Sequence, residues 1–258
     1  MLSVVTLSHC GAVRPDNEDA VLWDAALGLL AVADGMGGHN AGEVASRLAV
    51  DAVQQSLRAN RNRHDAQWPF GFAEDLPLAA NRLRTAVRLA NIAVFRASQE
   101  RAEYAGMGTT LTAALIEGAH VWFANVGDSR LYVKGIGETA LRQLTRDDSL
   151  VRLLASAPGA KPAMLVGHPM RHLLTSVLGT RPDIAVDVEE MTLSEGELLV
   201  MTTDGMHGGV GDDVMDAVLD GHERGTDLDV AAEHLLEAAL GAGGRDNITV
   251  AIARYTAP

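Results

Sequence analysis

The chain has 258 residues, a formal net charge of −13 at pH 7, and a composition of 47% hydrophobic and 4% aromatic residues. This composition is typical of a soluble globular protein, and the negative charge opposes general attraction to nucleic acids or anionic membranes, which bind clustered Lys and Arg. The single cysteine, Cys10, excludes a disulfide within the chain and fits a reducing compartment. We therefore predict a cytoplasmic protein with no nucleic-acid partner and no membrane association.

No linker divides the chain into two halves. The longest polar stretch, Arg58 to Asp65, runs directly into Trp68, Pro69 and Phe70, which is typical of a surface loop rather than a tether. The N-terminal segment MLSVVTLSHCG lacks the basic region and long apolar core of a targeting segment. We predict one domain over residues 1–258.

Apolar patterning predicts seven strands and four helices. The strands are predicted at Ser3–Ser8, Gly28–Ala33, Thr110–Ile116, Val121–Asn125, Arg130–Lys134, Glu197–Thr202 and Ile248–Arg254. The helices are predicted at Ala41–Leu57, Leu78–Ser98, Asp213–Leu219 and Leu228–Leu240. Because hairpins are interleaved with helix pairs, this order favours antiparallel sheets with helices on their outer faces.

The first dense motif is RPDNED, which covers Arg14 to Asp19. Pro15 and Asn17 disfavour a helix in this segment. The planar guanidinium of Arg14 matches phosphate oxygens, while Glu18 could hold a metal ion or its water. A solvated loop with a local ion pair is the alternative interpretation of this motif taken alone.

The second motif, ADGMGGHNAGE, follows an apolar strand directly and leads into a helix. Asp34 would leave the strand end, and Gly35 and the glycines after it would let a backbone carbonyl approach an ion. His39 could donate a proton, or it could cap the helix or support a neighbouring ligand. Since an Asp-Gly pair alone is only a turn signal, the additional glycines and the histidine favour a functional segment.

Three further aspartates lie at turns or strand ends. Asp128 lies in NVGDSRLY, where a simple hairpin turn is an equal alternative, Asp204 follows the strand of LLVMTTDGM, and Asp246 precedes the strand of DNITV. Carboxylates from distant segments repel one another unless a cation lies between them, and Mg²⁺ and Mn²⁺ prefer oxygen ligands. We therefore predict one metal site and a metal-dependent hydrolase, with a shared set of acids: Glu18, Asp19, Asp34, Asp204 and Asp246.

In this order, the motifs resemble those of the PP2C (PPM) family of metal-dependent protein serine/threonine phosphatases, and of its bacterial members in particular. The likeness runs from Leu7 to about Ala253 and includes RPDNED, DGMGGHNAGEVAS, GMGTTL, NVGDSRLY, LTRDDSLV, HPMRHLLTSVLG, MTTDGM and DNITV. It implies an α+β fold, a four-layer αββα sandwich of two antiparallel sheets flanked by helices. It also implies that the protein hydrolyses phosphoserine and phosphothreonine in phosphorylated proteins, opposing a Ser/Thr kinase.

The resemblance further implies a binuclear Mn²⁺ or Mg²⁺ centre and a hydroxide that bridges the ions and attacks phosphorus directly. Asp34 would bridge the two ions, with Asp204 and Asp246 on one of them. Glu18 and the carbonyl of Gly35 would bind the other ion. All five residues lie in the motifs that carry the resemblance.

Further roles follow from the same resemblance. Arg14 would bind the substrate phosphate, and His39 corresponds loosely to the family's proposed general acid. Asp128, together with Asp204, would match the third-metal position of bacterial members. The region Lys134 to Gly179 would include their mobile flap.

The chain departs from the bacterial pattern at several places. Asp148 stands where a histidine is common, and the MHGGV segment after Gly205 lacks the usual polar or acidic residue. The Asn60–Leu78 segment is longer. Two other functions remain open as alternatives. One is a pseudophosphatase that binds phosphoproteins without turnover, and the other is a metal-dependent phosphoesterase that acts on small molecules.

Overall fold

The structure is a computed structural model that describes residues 1–38, 41–61, 68–137, 140–155, 173–220 and 227–257. Its strands are β1 (Leu2–His9), β2 (Asp19–Asp24), β3 (Leu29–Met36), β4 (Gly108–Thr109), β5 (Leu111–Glu117), β6 (His120–Val126), β7 (Arg130–Lys134), β8 (Arg142–Gln143), β9 (Glu189–Thr192), β10 (Leu198–Thr202) and β11 (Ile248–Tyr255). Its α-helices are α1 (Ala41–Asn60), α2 (Leu78–Glu100), α3 (Leu150–Ala155), α4 (Asp204–His207), α5 (Asp212–Asp220) and α6 (Leu228–Gly241).

The strands form two antiparallel sheets. Sheet A has the order β1-β11-β10-β7-β8, and sheet B has the order β2-β3-β5-β6-β9, with β4 paired to the end of β3. Strands that are far apart in sequence become neighbours, since β1 pairs with β11 along its whole length. This pairing brings the first and last motifs of the chain to the same end of the sandwich.

Strand β3 shows why the predicted strands are apolar on both faces. Leu29, Ala31 and Ala33 face a core shared with α1 and α2, whereas Leu30 and Val32 face the core between the two sheets. Successive side chains of a strand point to opposite faces, so a strand covered on both faces has no polar alternation. Sheet B is therefore enclosed between helices and the other sheet.

Sheet A repeats this arrangement with the C-terminal helices. In β10, Leu198 and Val200 pack in the core formed with α5 and α6, and Leu199 and Met201 pack between the sheets. The layers are thus α1 and α2, sheet B, sheet A, and then α5 and α6. This architecture confirms the predicted αββα sandwich of two antiparallel sheets.

All seven predicted strands and all four predicted helices are present, with small shifts at their ends. The sequence patterns missed β2 and β9, as well as the short elements β4, β8, α3 and α4. The predicted flap region, Lys134 to Gly179, includes residues 138–139 and 156–172, which lie outside the described residues. Within the described ranges, no helix is long and apolar enough to cross a membrane.

Candidate metal centre

The acidic motifs meet around a cavity of about 310 Å³ at one end of the sandwich. Its lining includes Arg14, Glu18, Asp34, Gly35, Thr110, Asp128, Asp204, Asp246 and Asn247. The structure thus brings together the candidate residues from the sequence that it describes, with the exception of Asp19. His39 lies outside the described residues, so its role as a general acid remains a prediction.

Asp34 is held by hydrogen bonds to its backbone on both sides. Its N–H donates to Oγ1 of Thr110 (2.9 Å), and its carbonyl accepts from the N–H of Thr110 (2.9 Å) and from Oγ1 of Thr109 (2.8 Å). The sequence patterns placed Asp34 at a strand end, but β3 continues to Met36 because Gly35 and Met36 pair with β4. The carboxylate therefore projects from a paired strand rather than from a flexible turn.

Glu18 lies against the start of α1, where glycine is needed. A Cβ on Gly42 would collide with Oε1 of Glu18, and a Cβ on Gly35 would collide with the carbonyl oxygen of Gly42. The N–H of Gly35 also donates to the carbonyl of Glu18 (3.1 Å). The absence of both side chains thus lets Glu18, β3 and α1 approach one another at the cavity.

Asp204 begins α4, and one residue separates it from the end of β10. A Cβ on the next residue, Gly205, would collide with the carbonyl oxygen of Asn247, so the segments that carry Asp204 and Asp246 touch through their backbones. Thr203, which precedes Asp204, donates from its hydroxyl to Oδ2 of Asp19 (2.8 Å). Two metal-site segments predicted from distant parts of the chain are therefore in direct contact.

Asp19 does not line the cavity, although it was grouped with the candidate acids. It is buried behind the cavity, opposite Asp34 in the β2–β3 pair, and its Oδ2 accepts hydrogen bonds from Thr203 and Thr249 (2.6 Å). Its Oδ1 is buried with no hydrogen-bond partner among the described residues. Through Oδ2, Asp19 therefore links β2 to Thr203, which follows β10, and to Thr249 of β11, rather than lining the cavity.

Asp246 and Arg14 are joined across the cavity mouth. A nitrogen of the Arg14 guanidinium lies 2.8 Å from Oδ2 of Asp246, and the two side chains are 50% and 38% exposed. The loop that carries Arg14 can approach because Gly11 has no side chain. A Cβ on Gly11 would collide with the carbonyl oxygen of Asp246.

Asn247 connects this loop to β11, a role that the sequence patterns did not reveal. Its amide nitrogen donates to the carbonyls of Cys10 (3.0 Å) and Asp16 (2.8 Å), and its amide oxygen accepts from the N–H of Glu18 (2.8 Å). Asn247 is 5% exposed. One buried side chain therefore sets the course of the segment that contains Arg14 and Glu18.

Asp128 lies in the turn between β6 and β7, and Asp148 supports that turn. The N–H of Gly127, which has φ 106°, donates to Oδ2 of Asp148 (3.1 Å), and the N–H of Asp148 donates to the carbonyl of Gly127 (2.8 Å). Asp148 stands where the family often has a histidine. In this chain it acts as a hydrogen-bond partner of the Asp128 turn.

Burial and neighbouring charges raise the pKa values of three carboxyl groups that line the cavity. Burial, and then the charges of Asp19, Asp204 and other acids, raise the pKa of Asp34 well above its ordinary value. Burial and the charge of Asp204 raise the pKa of Asp128 to about 7. Burial also raises the pKa of Glu18. A divalent cation would reverse these shifts by stabilising the ionised forms.

The acids surround the cavity without converging on one point. Among the described residues, no three Asp, Glu, His or Cys side chains form a ready-made chelating group. The donor set nevertheless fits Mg²⁺ or Mn²⁺, because hard cations take carboxylate and carbonyl oxygens and complete their coordination with water. Small movements of the side chains and bound water would be needed to complete each coordination sphere.

Comparisons with known proteins agree with this fold. The family model of protein phosphatase 2C matches residues 8–236. The chain is 36% identical over 253 residues to the serine/threonine protein phosphatase PstP of Mycobacterium tuberculosis, covering 98% of this chain and 45% of that protein. It is 31% identical over 226 residues to the serine/threonine phosphatase stp of Listeria monocytogenes, covering 86% of this chain and 82% of that protein. The chain belongs to the protein phosphatase 2C family.

Solved structures are similar over almost the whole chain. The crystal structure of the M. tuberculosis phosphatase PstP/Ppp has a TM-score of 0.83 and 33% identity, covering 99% of each chain. The catalytic domain of PstP in complex with two manganese ions has a TM-score of 0.80 and 32% identity, covering 99% of this chain and 98% of that one. The chain spans about half the length of the full-length mycobacterial relative.

We predict that Asn247→Ala weakens Mn²⁺ binding by about tenfold, because residues that position metal ligands typically contribute this much. Loss of its hydrogen bonds should also lower the free energy of unfolding by about 2–3 kcal/mol. Calorimetric titration with Mn²⁺ and urea unfolding measure the two effects.

Asn81→Ala is the matched control. Asn81 is also buried and also bonds to backbone groups, those of Ala73, Leu76 and Pro77 at the start of α2, remote from the cavity. It should destabilise the protein similarly and leave Mn²⁺ affinity unchanged. Equal Mn²⁺ affinity in the two variants would refute the positioning role of Asn247.

Proposed function

We propose that this chain is a metal-dependent protein phosphatase that hydrolyses phosphoserine and phosphothreonine in phosphorylated proteins at a binuclear Mn²⁺ or Mg²⁺ centre. The proposal rests on the cavity in which five acids meet: Glu18, Asp34, Asp128, Asp204 and Asp246. In the described lining, Arg14 is the one positively charged side chain beside them. The relatives named as serine/threonine phosphatases support it, and so does the relative that binds two manganese ions.

We assign Asp34 to bridge the two ions, because it lies centrally enough for Asp204, Asp128 and Asp246 all to raise its pKa. Asp204 and Asp246 would hold one ion, and their segments touch through Gly205 and Asn247. Glu18 and the carbonyl of Gly35 would hold the other ion. Asp128, with Asp204, is the candidate for a third ion.

The reaction requires more than acid–base catalysis. Hydrolysis of a phosphate monoester can require an acceleration approaching ~10²¹, whereas a positioned acid or base supplies roughly 10²- to 10⁴-fold. When bound, the ions would lower the pKa of water for direct attack on phosphorus and would draw charge from the phosphate oxygens. No nucleophilic side chain is needed, so a covalent phosphoenzyme is not part of this proposal.

Arg14 is assigned to bind the substrate phosphate. Its half-exposed guanidinium lies at the mouth of the cavity, where a substrate phosphate can reach it from solvent. Two of its parallel N–H groups fit two phosphate oxygens. Its present partner, Asp246, is an assigned metal ligand, so an ion that takes up the charge of Asp246 would free the guanidinium for phosphate.

The wider biological role remains a proposal as well. We propose that residues 1–258 act as one phosphatase domain, that the enzyme opposes a Ser/Thr kinase, and that it works in the cytoplasm. The net charge of −13 supports the proposal that nucleic acids and anionic membranes are not its partners.

We predict that the purified protein releases phosphate from a phosphothreonine peptide with Mn²⁺ and that EDTA abolishes the release. Asp246→Ala should reduce kcat/KM by about 10³-fold, because loss of a metal ligand removes several kcal/mol of transition-state stabilisation. Asp16→Ala, an exposed acid in the same loop as Arg14, is the control and should retain activity.

The outcomes separate the three candidate functions. Peptide turnover that needs both metal and Asp246 supports the phosphatase. Phosphopeptide binding without turnover would indicate a pseudophosphatase, and turnover of nucleotides or sugar phosphates in preference to phosphopeptides would indicate a small-molecule phosphoesterase.

We also predict that Asp34→Asn raises the unfolding temperature in EDTA at pH 7 by about 2–4 °C. A carboxyl whose pKa is raised by folding destabilises the folded state once it is ionised, so removing the charge relieves repulsion from Asp19 and Asp204. With Mn²⁺ the wild-type protein should have the higher unfolding temperature, because it gains free energy from metal binding that the variant lacks.

Scanning calorimetry with and without Mn²⁺ measures both effects. Asp16→Asn is the matched control and should respond to Mn²⁺ as the wild type does. An Asp34→Asn variant that is stabilised by Mn²⁺ as strongly as the wild type would exclude Asp34 as the bridging ligand.

A further inference from the structure

A second cavity, of about 490 Å³, adjoins the metal centre. The two cavities share Arg14, Asp204 and Asp246 in their linings. The second cavity lies between α4 and the C-terminal end of α6. Apart from Arg245, the rest of its lining consists of small residues: Gly205, Gly208, Gly209, Ala239, Ala242 and Gly244.

Arg245 is the cation of this cavity that the proposed chemistry does not use. If Asp204 and Asp246 hold an ion and Arg14 holds the phosphate, Arg245 is the charged side chain left in the lining. It is exposed, and across the described ranges no hydrogen bond or ion pair holds its guanidinium. Its charge is therefore available to a ligand.

The backbone on both sides of Arg245 is held in place. The carbonyl of Gly244 accepts from the N–H of Ala12 (2.7 Å), and Asp246 is followed by Asn247, whose side chain holds the Arg14 loop. The side chain of Arg245 lies beside Gly243, where a Cβ would be 3.7 Å from its Cγ and Nε. The guanidinium thus projects from a fixed point one residue away from a metal ligand.

The end of α6 would otherwise disfavour an anion, because helix C-termini carry partial negative charge. Here three carbonyls of the last turn already accept hydrogen bonds. The N–H groups of Ala242, Gly243 and Gly244 donate to the carbonyls of Ala238, Leu240 and Ala239, respectively. The positive φ of Gly243 (121°) and Gly244 (51°) permits this ending. The wall that the end of α6 contributes to the second cavity therefore presents hydrogen-bonded backbone groups and the side chain of Arg245.

The net charge of −13 makes a local cation important for an acidic substrate. Distant charges are screened beyond about 8 Å at physiological ionic strength, so groups inside the cavity decide which substrate residues are favoured there. We propose that Arg245 is a specificity-determining residue that selects substrates with an anionic side chain close to the phosphorylated Ser or Thr. This inference rests on the proposed phosphatase function.

Arg245 has a simpler alternative role, which is to complement the negative end of α6. In that role its removal lowers the free energy of unfolding but does not change substrate preference. Selectivity between substrates of different charge therefore separates the two roles. A general electrostatic effect is a third explanation, and any exposed arginine would share it.

The test compares Arg245→Gln, Arg245→Glu and wild-type protein in Mn²⁺. The substrates are p-nitrophenyl phosphate and phosphothreonine peptides with Asp, Ala or Lys on either side of the phosphothreonine. Arg61→Gln is the matched control, because Arg61 is exposed and lies at the opposite end of sheet B, near Gly28 and Gly118. Thermal unfolding of each variant checks that the fold is intact.

We expect wild-type protein to prefer the Asp peptide over the Ala peptide, and Arg245→Gln to lose about five- to tenfold in kcat/KM on the Asp peptide, mainly through KM. Arg245→Glu should favour the Lys peptide. Activity on p-nitrophenyl phosphate should stay unchanged in both variants, and Arg61→Gln should match wild type on every substrate.

Peptide turnover with the same Asp-to-Ala ratio in wild type and Arg245→Gln would overturn this inference and leave the phosphatase proposal standing. An equal change of that ratio in Arg61→Gln would also overturn it, in favour of a general charge effect. No turnover of any substrate by wild-type protein with Mn²⁺ would overturn both proposals.

Discussion

Carboxylates gathered at one end of the two sheets repel one another, and the surrounding structure holds them together against that repulsion. Burial raises the pKa values of Asp34, Asp128 and Glu18, and the charge of Asp204 raises those of Asp34 and Asp128 further. Such an arrangement costs free energy in the absence of a cation, and it becomes favourable when a divalent ion is bound. The scaffold must therefore be rigid enough to keep these groups together.

That rigidity comes from backbone contacts as much as from the apolar cores. Thr110 holds both backbone polar groups of Asp34, and Asn247 holds the loop of Arg14 and Glu18. Gly205 brings the segments of Asp204 and Asp246 into contact. The enclosed sheets then fix these points relative to one another. The same rigidity presents Arg245 at the edge of the site, where substrate residues beside the phosphate would pass.

Sequence patterns predicted β3 and β10 because both strands are covered on both faces and are therefore continuously apolar. The order of the elements favoured antiparallel sheets with outer helices, and the family resemblance implied the four-layer sandwich. They missed β9, whose sequence EEMT is polar, and β2, whose first residue belongs to the acidic motif. The role of Asn247 could not be read from sequence, because its partners Cys10 and Asp16 come close only through the β1–β11 pairing. Likewise, the contact of Gly42 with Glu18 exists only in the folded chain.

We propose that these carboxylates form a binding site for divalent cations. Anomalous diffraction from crystals grown with Mn²⁺ tests it most directly, because manganese scatters distinctively and each ion can be placed against its ligands. We expect two manganese ions that share Asp34 as a ligand, with Asp204 and Asp246 on one ion and Glu18 on the other. Manganese bound only elsewhere on the protein, or none in this cavity, would contradict it.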